Sequence, residues 1–265
     1  MSHRVVILGC GSSGGVPRVG GDWGSCDPAN PRNRRRRCSI LVERVGDDGG
    51  RTSVLVDASP DLREQLLDAQ TSRLDAVLVT HSHADHTHGI DDVRPLVIKM
   101  KRRIDLHMDE PTAQALRARF GYVFETPPGS QYPPLLVDRR LTPGAPARVE
   151  GPGGELEAIP FRLNHGDMDA LGFRFGDMAY TPDVIGVPPE SEGFLEGLDL
   201  WIIDALRYTR HPSHFSLSEA LDWIARMKPR RAVLTNLHTD LDYERLRSEL
   251  PPGVTPAYDG MELTF

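Results

Sequence analysis

Ten residues constrain this chain more than any other feature: Thr80-His81-Ser82-His83-Ala84-Asp85-His86-Thr87-His88-Gly89. They follow Leu74–Thr80, a short apolar run that reads as a buried strand. Five side chains able to bind metal stand within eight positions. In an extended segment, side chains two apart face the same way, so His81 and His83 can clasp one ion. Asp85 and His86 lie one turn further on and can reach a second ion beside it. Imidazole nitrogen with carboxylate oxygen suits zinc, manganese or iron. Any fold the chain adopts must leave this loop open to an ion and bring further donors to it. The HExxH spacing of zinc peptidases is absent.

The surrounding pattern is that of an enzyme-sized globular domain. Apolar runs Val5–Leu8, Ser39–Val45, Ser53–Asp57 and Ile104–His107 predict strands, with Pro60–Ala69, Ile90–Met100 and Pro111–Phe120 as helices. Further strands are predicted at Leu156–Leu163, Leu171–Phe175, Met178–Thr181, Leu200–Asp204 and Ala232–Thr235. Helices are predicted at Ser216–Met227 and Tyr243–Leu250. Residues 9–38, rich in Gly, Pro, Asn, Asp and Arg, read as one long ordered loop. Residues 121–154, with many Pro and Gly, read as a lid or an insertion in a single domain spanning 1–265. An order that is strand-rich, then mixed, in two halves of similar length suits two packed sheets with helices outside.

With 265 residues the chain can bury a substantial core. No apolar stretch approaches the ~18 residues of a membrane span, and no signal-peptide apolar region follows the start. Both observations point to the cytoplasm and away from a membrane partner. A net charge of −7 works against binding long nucleic acid. Three cysteines, Cys10, Cys26 and Cys38, form neither a disulfide framework nor a CxxC pair.

Two motif matches fail on context. Gly9-Cys10-Gly11-Ser12-Ser13-Gly14 fits the dinucleotide fingerprint GxGxxG, and Gly11–Gly15 fits the serine-hydrolase elbow GxSxG. Both require a helix to follow at once. Gly15, Pro17, Gly20 and Gly21 prevent one, so the glycines are expected to let backbone approach closely near the metal site.

The motif order resembles the metallo-β-lactamase superfamily. That resemblance implies a four-layer αββα sandwich of two mixed sheets, class α+β, with a dinuclear metal site at the sheet edges. Asn164-His165 resembles the family's third motif and Thr181-Pro182-Asp183 its fourth. The resemblance implies His81, His83 and His165 on one ion, Asp85, His86 and His238 on the other, and Asp183 as the bridging carboxylate. Asp57, ending a strand, resembles the aspartate that orients a ligand histidine. Within the superfamily the chain resembles the phosphoribosyl cyclic phosphodiesterases of the carbon–phosphorus lyase pathway. Gly15-Val16-Pro17, Cys38-Ser39, Thr80–Gly89 and Tyr258-Asp259-Gly260-Met261-Glu262 carry that likeness. His214 matches the catalytic histidine of that family. That family has several cysteines near residue 26 where this chain has only Cys26, so no structural zinc is expected. It has histidine where Asn236 stands, which leaves either His238 or Asn236 to complete the second metal site.

The reaction that the resemblance implies is hydrolysis of a small phosphodiester, cyclic in the family's manner, by hydroxide held on two divalent ions, zinc or manganese foremost. His214 then serves as general acid toward the leaving oxygen, or else caps the helix that follows it. Arg34, Arg35, Arg36 and Arg37 form a basic run that reads either as a phosphate clamp or as a solvated loop. His88 reads as a support for the ligands or as solvent-facing. A small phosphorylated substrate is the expected partner, and a homodimer is open. The alternatives are a tRNA 3′-end-type endonuclease and a non-catalytic metal- or nucleotide-binding module.

Overall fold

Strict alternation in the apolar strands divides each strand between two cores. In the computed structural model, which describes residues 2–265, strand β1 (Ser2–Gly9) sends Val5 and Ile7 to one side and Val6 and Leu8 to the other. The same division holds in β2 (Ser39–Val45) and β3 (Arg51–Val56), which pair as an antiparallel hairpin. After α1 (Leu62–Asp68) and β4 (Ala76–Leu78) come the one-turn helix α2 (Ala84–Thr87), α3 (Arg94–Met100), β5 (Ile104–Met108), α4 (Glu110–Phe124) and β6 (Leu136–Arg140). The second half holds β7 (Ala147–Val149), β8 (Leu156–His165), β9 (Met168–Phe175) and β10 (Met178–Thr181). It continues with α5 (Pro189–Glu192), β11 (Leu200–Asp204), α6 (Leu217–Met227), β12 (Arg231–Thr235), α7 (Tyr243–Glu249) and β13 (Val254–Pro256). The last strand, β14 (Met261–Thr264), returns to pair with β1.

Two seven-stranded mixed sheets result, ordered β14-β1-β2-β3-β4-β5-β6 and β13-β12-β11-β10-β9-β8-β7. Each joins an antiparallel meander to a parallel run. The sheets share a core in which Ile40, Val54 and Leu78 face Phe173, Tyr180 and Ile202. The outer face of the first sheet is covered by α1, α3 and α4 through Leu62, Leu96 and Leu116. That of the second is covered by α6 and α7 through Ile224 and Leu246. This is the αββα sandwich that the motifs implied. No helix among the described residues is long and apolar enough to cross a membrane.

Three expectations change. Residues 121–154 do not form a separate lid: β6 ends the first sheet and β7 the second, so this segment carries the chain from one sheet to the other. Most of its Pro and Gly residues sit in the loops before, between and after these short edge strands. The helix expected over 90–100 is a 3-10 turn, Ile90–Val93, followed by α3. Pro95 lies in the first turn of α3, where its missing N–H costs nothing. Finally, β13 and β14 were not anticipated, being only three and four residues long.

Candidate metal centre

The site lies where strands of both sheets end. On the first sheet, β3 ends at Asp57, which is fully buried and holds a left-handed backbone, φ 66°. Aspartate tolerates that conformation better than most residues. Its carboxylate accepts from Thr80 N (2.8 Å) and from the Thr80 hydroxyl (2.9 Å). It also accepts from His86 Nδ1 at 2.7 Å, which turns His86 Nε2 outward. Gly89 closes this loop where only glycine fits, since an added Cβ would lie 1.9 Å from the carbonyl oxygen of Ser59. His88 is exposed, its ring edge against Phe120.

The second sheet supplies the remaining donors. His165 ends β8 and gives its Nδ1 hydrogen to the carbonyl of Ser213 (2.8 Å), leaving Nε2 free. Asp183 follows β10 and is buried. One nitrogen each from His81, His83 and His165 and one oxygen from Asp183 lie within 4.8 Å of one another. His83 Nδ1 stands 2.9 Å from His81 Nε2 and 3.3 Å from His165 Nε2. Asp183 Oδ2 is 3.7 Å from His81 Nε2 and 3.6 Å from His165 Nε2. Four donors around a tetrahedral ion at ~2.0–2.1 Å stand about 3.3 Å apart, so this cluster fits one first-row divalent ion. The other Asp183 oxygen, Oδ1, lies 3.4 Å from His86 Nε2, and Asp85 Oδ2 lies 3.4 Å from the same nitrogen. Asp183 therefore faces two donor groups with its two oxygens.

The electrostatics suit ion binding. Burial, reinforced by His86, holds His81 well below the usual imidazole range, and burial lowers His165 as well. Burial acts against the ionised form of Asp183, but His86, His214 and His81 outweigh it and hold the carboxyl well below its ordinary value. Burial also disfavours protonated His86, yet Asp183, Asp57 and Asp85 raise its pKa well above the usual value. A cation placed between these carboxylates would substitute for that proton.

His214 stands on the wall of the same cleft, its Nε2 3.9 Å from Asp183 Oδ2. Its Nδ1 donates to Asp204 Oδ2 at 2.8 Å. Asp204, at the end of β11, is fully buried and also accepts from Val184 N. Burial opposes the charge on His214, but Asp204 reverses this and pushes its pKa up to about 9. The capping of α6 falls to Ser216, whose hydroxyl accepts from Glu219 N while Glu219 returns a bond to Ser216 N. His214 thus leads into a well-anchored helix without capping it. Asp204 had not been singled out, although it shows the same signal as Asp57, an aspartate ending a buried apolar strand.

The expected partners of the second donor group are arranged differently from one another. Asn236 Nδ2 lies 3.3 Å from Asp183 Oδ1 and 3.1 Å from His214 Nδ1. His238 lines the cleft, but its Nε2 is against the guanidinium of Arg18 and its Nδ1 is 2.9 Å from Asp240 Oδ1.

The basic run does not line the cleft. Arg35 is buried and donates to the carbonyls of Leu241 (2.7 Å) and His238 (3.3 Å). Arg36 pairs with Asp68 and Asp259, Arg37 pairs with Asp61, and Arg34 is exposed beside Pro31 and Glu64. The phosphate-clamp reading of Arg34–Arg37 is therefore corrected. Alternation on this near-extended segment sends Arg35 inward to tie loops together and leaves its neighbours to carboxylates. The cations that do line the cleft are Arg18 and Arg207. Gly9, Gly11 and Gly15 approach this run and not the donor cluster: an added Cβ at Gly9 would meet the Arg37 carbonyl at 2.1 Å.

Comparisons with known proteins agree with the geometry. The Beta-lactamase superfamily domain model matches residues 52–236. A crystal structure of a diphosphatase from the PhnP family superimposes with a TM-score of 0.88 at 34% identity, covering 100% of this chain and 98% of that one. Zn(2+)-bound PqqB from Methylobacterium extorquens superimposes with a TM-score of 0.73 at 20% identity, covering 98% and 99%. An octanoyltransferase of Porphyromonas gingivalis is 36% identical over 98% of this chain, which spans only 51% of that protein's length. The converging His/Asp donors, the paired seven-stranded sheets and these similarities make the chain a member of the β-lactamase superfamily, with the metallo-β-lactamase fold and similar to the PhnP-family diphosphatase.

Proposed function

We propose that the chain is a phosphoric diester hydrolase that works with two divalent ions, zinc or manganese, on a small phosphorylated substrate in the cytoplasm. The observation that carries this reading is the Asp204–His214 pair beside the donor cluster. An imidazole held by a buried carboxylate, its other nitrogen facing Asp183, is placed to protonate a leaving oxygen.

His81, His83, His165 and Asp183 would hold one ion, and Asp85, His86 and the second oxygen of Asp183 the other. Bound there, such ions supply charge for the phosphoryl oxygens and a water that ionises near neutral pH. Asp57 keeps His86 in the tautomer that leaves Nε2 available. Asp204 keeps Nδ1 of His214 protonated, so the proton delivered to the leaving alkoxide comes from Nε2. The cleft holds about 280 Å³, near the lower end of the ~300–1,000 Å³ typical of small-molecule sites. That size, with the acidic balance of the chain, favours a small cyclic phosphodiester over RNA. Similarity to human tRNase Z, at 18% identity, concerns the fold alone.

A second reading, cleavage of a diphosphate, is favoured by likeness to the PhnP-family diphosphatase. Acyl transfer through a thiol is disfavoured: Cys10, Cys26 and Cys38 are all buried, and burial pushes each thiol up. Metal-loaded protein should be assayed with ribosyl 1,2-, nucleoside 2′,3′- and 3′,5′-cyclic phosphates and with nucleoside diphosphates, each under Zn and Mn. Turnover of a cyclic diester above the diphosphates supports the first reading. Preference for diphosphates supports the second. Two bound equivalents without turnover of either would leave a non-catalytic binding module.

A further inference from the structure

We propose that Arg18 is the specificity residue of the cleft, binding a second anionic group of the substrate, and that His238 is its anchor and not a metal ligand. The proposal deepens the phosphohydrolase reading and rests on it for the identity of the first anionic group.

The argument begins with the contact between Arg18 and His238. A guanidinium has only donors, so the His238 Nε2 it touches must present its lone pair. The ring proton then sits on Nδ1, where Asp240 Oδ1 accepts it at 2.9 Å. An imidazole with both nitrogens engaged in this way has no lone pair left for an ion. Asn236, two residues earlier, occupies the place beside Asp183 Oδ1.

Arg18 is held for this task from its backbone outward. Its N–H donates to the Asp22 carbonyl (2.9 Å), and its own carbonyl accepts from Gly21 N (3.0 Å). Gly20 and Gly21 take positive φ in this tight turn, where an added Cβ would meet nothing. The base of the turn is paired by Val16 with Arg35 in both directions, 2.9 and 2.8 Å. The buried Arg35 guanidinium in turn grips the carbonyl of His238. One residue of the basic run therefore braces both elements, its backbone the turn that carries Arg18 and its side chain the anchor.

The second cleft cation is less free. Arg207 spends its guanidinium on the carbonyls of Thr209 (3.2 Å) and Arg210 (2.7 Å). Among the described residues Arg18 has one carboxylate partner, Asp22, at a distant 3.9 Å, and its side chain lines the cleft and is 42% exposed. Its remaining donors suit a carboxylate or phosphate fork. The ions would take the scissile phosphoryl group, so Arg18 recognises an anion at the substrate's other end.

The test uses metal-loaded wild type, Arg18→Ala, Arg18→Lys and His238→Ala. Metal content is measured by elemental analysis, and binding by calorimetry with 3-phosphoglycerate, which carries two anionic ends, and glycerol 3-phosphate, which carries one. Arg18→Ala is expected to weaken 3-phosphoglycerate at least tenfold and glycerol 3-phosphate less than threefold. Arg18→Lys should recover part of the loss. His238→Ala should reproduce the Arg18→Ala pattern with metal content unchanged. Loss of one metal equivalent in His238→Ala, or equal weakening of both ligands in Arg18→Ala, overturns the proposal. Because these readouts need no turnover, a wild type inactive on every phosphoester but showing the binding difference would refute the phosphohydrolase reading alone.

Discussion

The two halves of the molecule build their share of the metal site in opposite ways. Each half joins an antiparallel meander to a parallel run of strands, and each ends those strands at the same edge of the sandwich. The first half places His81, His83, Asp85 and His86 in one loop after β4, with Asp57 beneath them. The second half distributes His165, Asp183, Asp204, His214 and Asn236 over the ends of β8, β10, β11 and β12 and the loop before α6. A contiguous loop can keep its donors together by local bonds, but donors on separate strands depend on the whole sheet. The second half should therefore govern whether the site assembles, and the first how tightly it holds an ion.

Asp183→Ala is the harshest test of this comparison, because Asp183 alone touches both donor groups. It is expected to lower metal occupancy and to reduce kcat/KM by roughly 10³ or more, since each of the two proposed ions would lose a ligand. Full occupancy by elemental analysis with an unchanged rate would remove Asp183 from the centre. His214→Ala comes next. It should retain its metal and lose about 10²–10⁴ in kcat on esters with poor leaving groups, but far less on p-nitrophenyl esters. Equal slowing of both substrates would assign His214 a role other than proton donor.

The first half also depends on a residue near the chain's end. Asp259 accepts from Cys10 N (3.1 Å) and Arg36 N (2.7 Å), clamping the long loop against β1. Burial pushes its pKa up to about 6, against these hydrogen bonds. The unfolded chain ionises this group near pH 4, whereas the folded chain keeps its proton until about pH 6. Between those values the folded state binds more protons, so this group's contribution to stability falls as pH rises. A shift of about two units corresponds to ~3 kcal/mol. Urea denaturation from pH 4 to 7 should show wild type losing about that much relative to Asp259→Asn. A pH-independent difference between the two proteins would contradict the shift.

The contrast between the halves also explains what could be read from the residues alone. HxHxDH is local, and its spacing names the chemistry before any fold is known. Continuous apolar runs marked most core strands, because each faces two apolar layers. His165 and Asp183 became legible only through motif order. Arg18 carries no local signal: its partner is 220 positions away. Arg35 shows the reverse case, a charge in a basic run whose buried role depends on carbonyls over 200 residues distant. The short edge strands β6, β7, β13 and β14 hold too few residues for a period to show.

Asp57→Asn probes the local half most finely. Two buried aspartates perform the same act, Asp57 on His86 at 2.7 Å and Asp204 on His214 at 2.8 Å, but under the proposed function one would support a metal donor and the other a proton donor. Asparagine tolerates the left-handed backbone at 57, so the substitution removes charge and one acceptor without straining the chain. Thr80 N and His86 Nδ1, which bond different oxygens of Asp57, are then left a single acceptor oxygen, while the Thr80 hydroxyl can turn to accept from the new amide. Disturbing a carboxylate behind a ligand histidine typically costs ~10–100-fold in metal affinity. Metal titration should show a loss of that size, with kcat restored at saturating metal. If kcat stays low when the site is full, Asp57 does more than hold His86, and the division of labour between the halves fails at its simplest point.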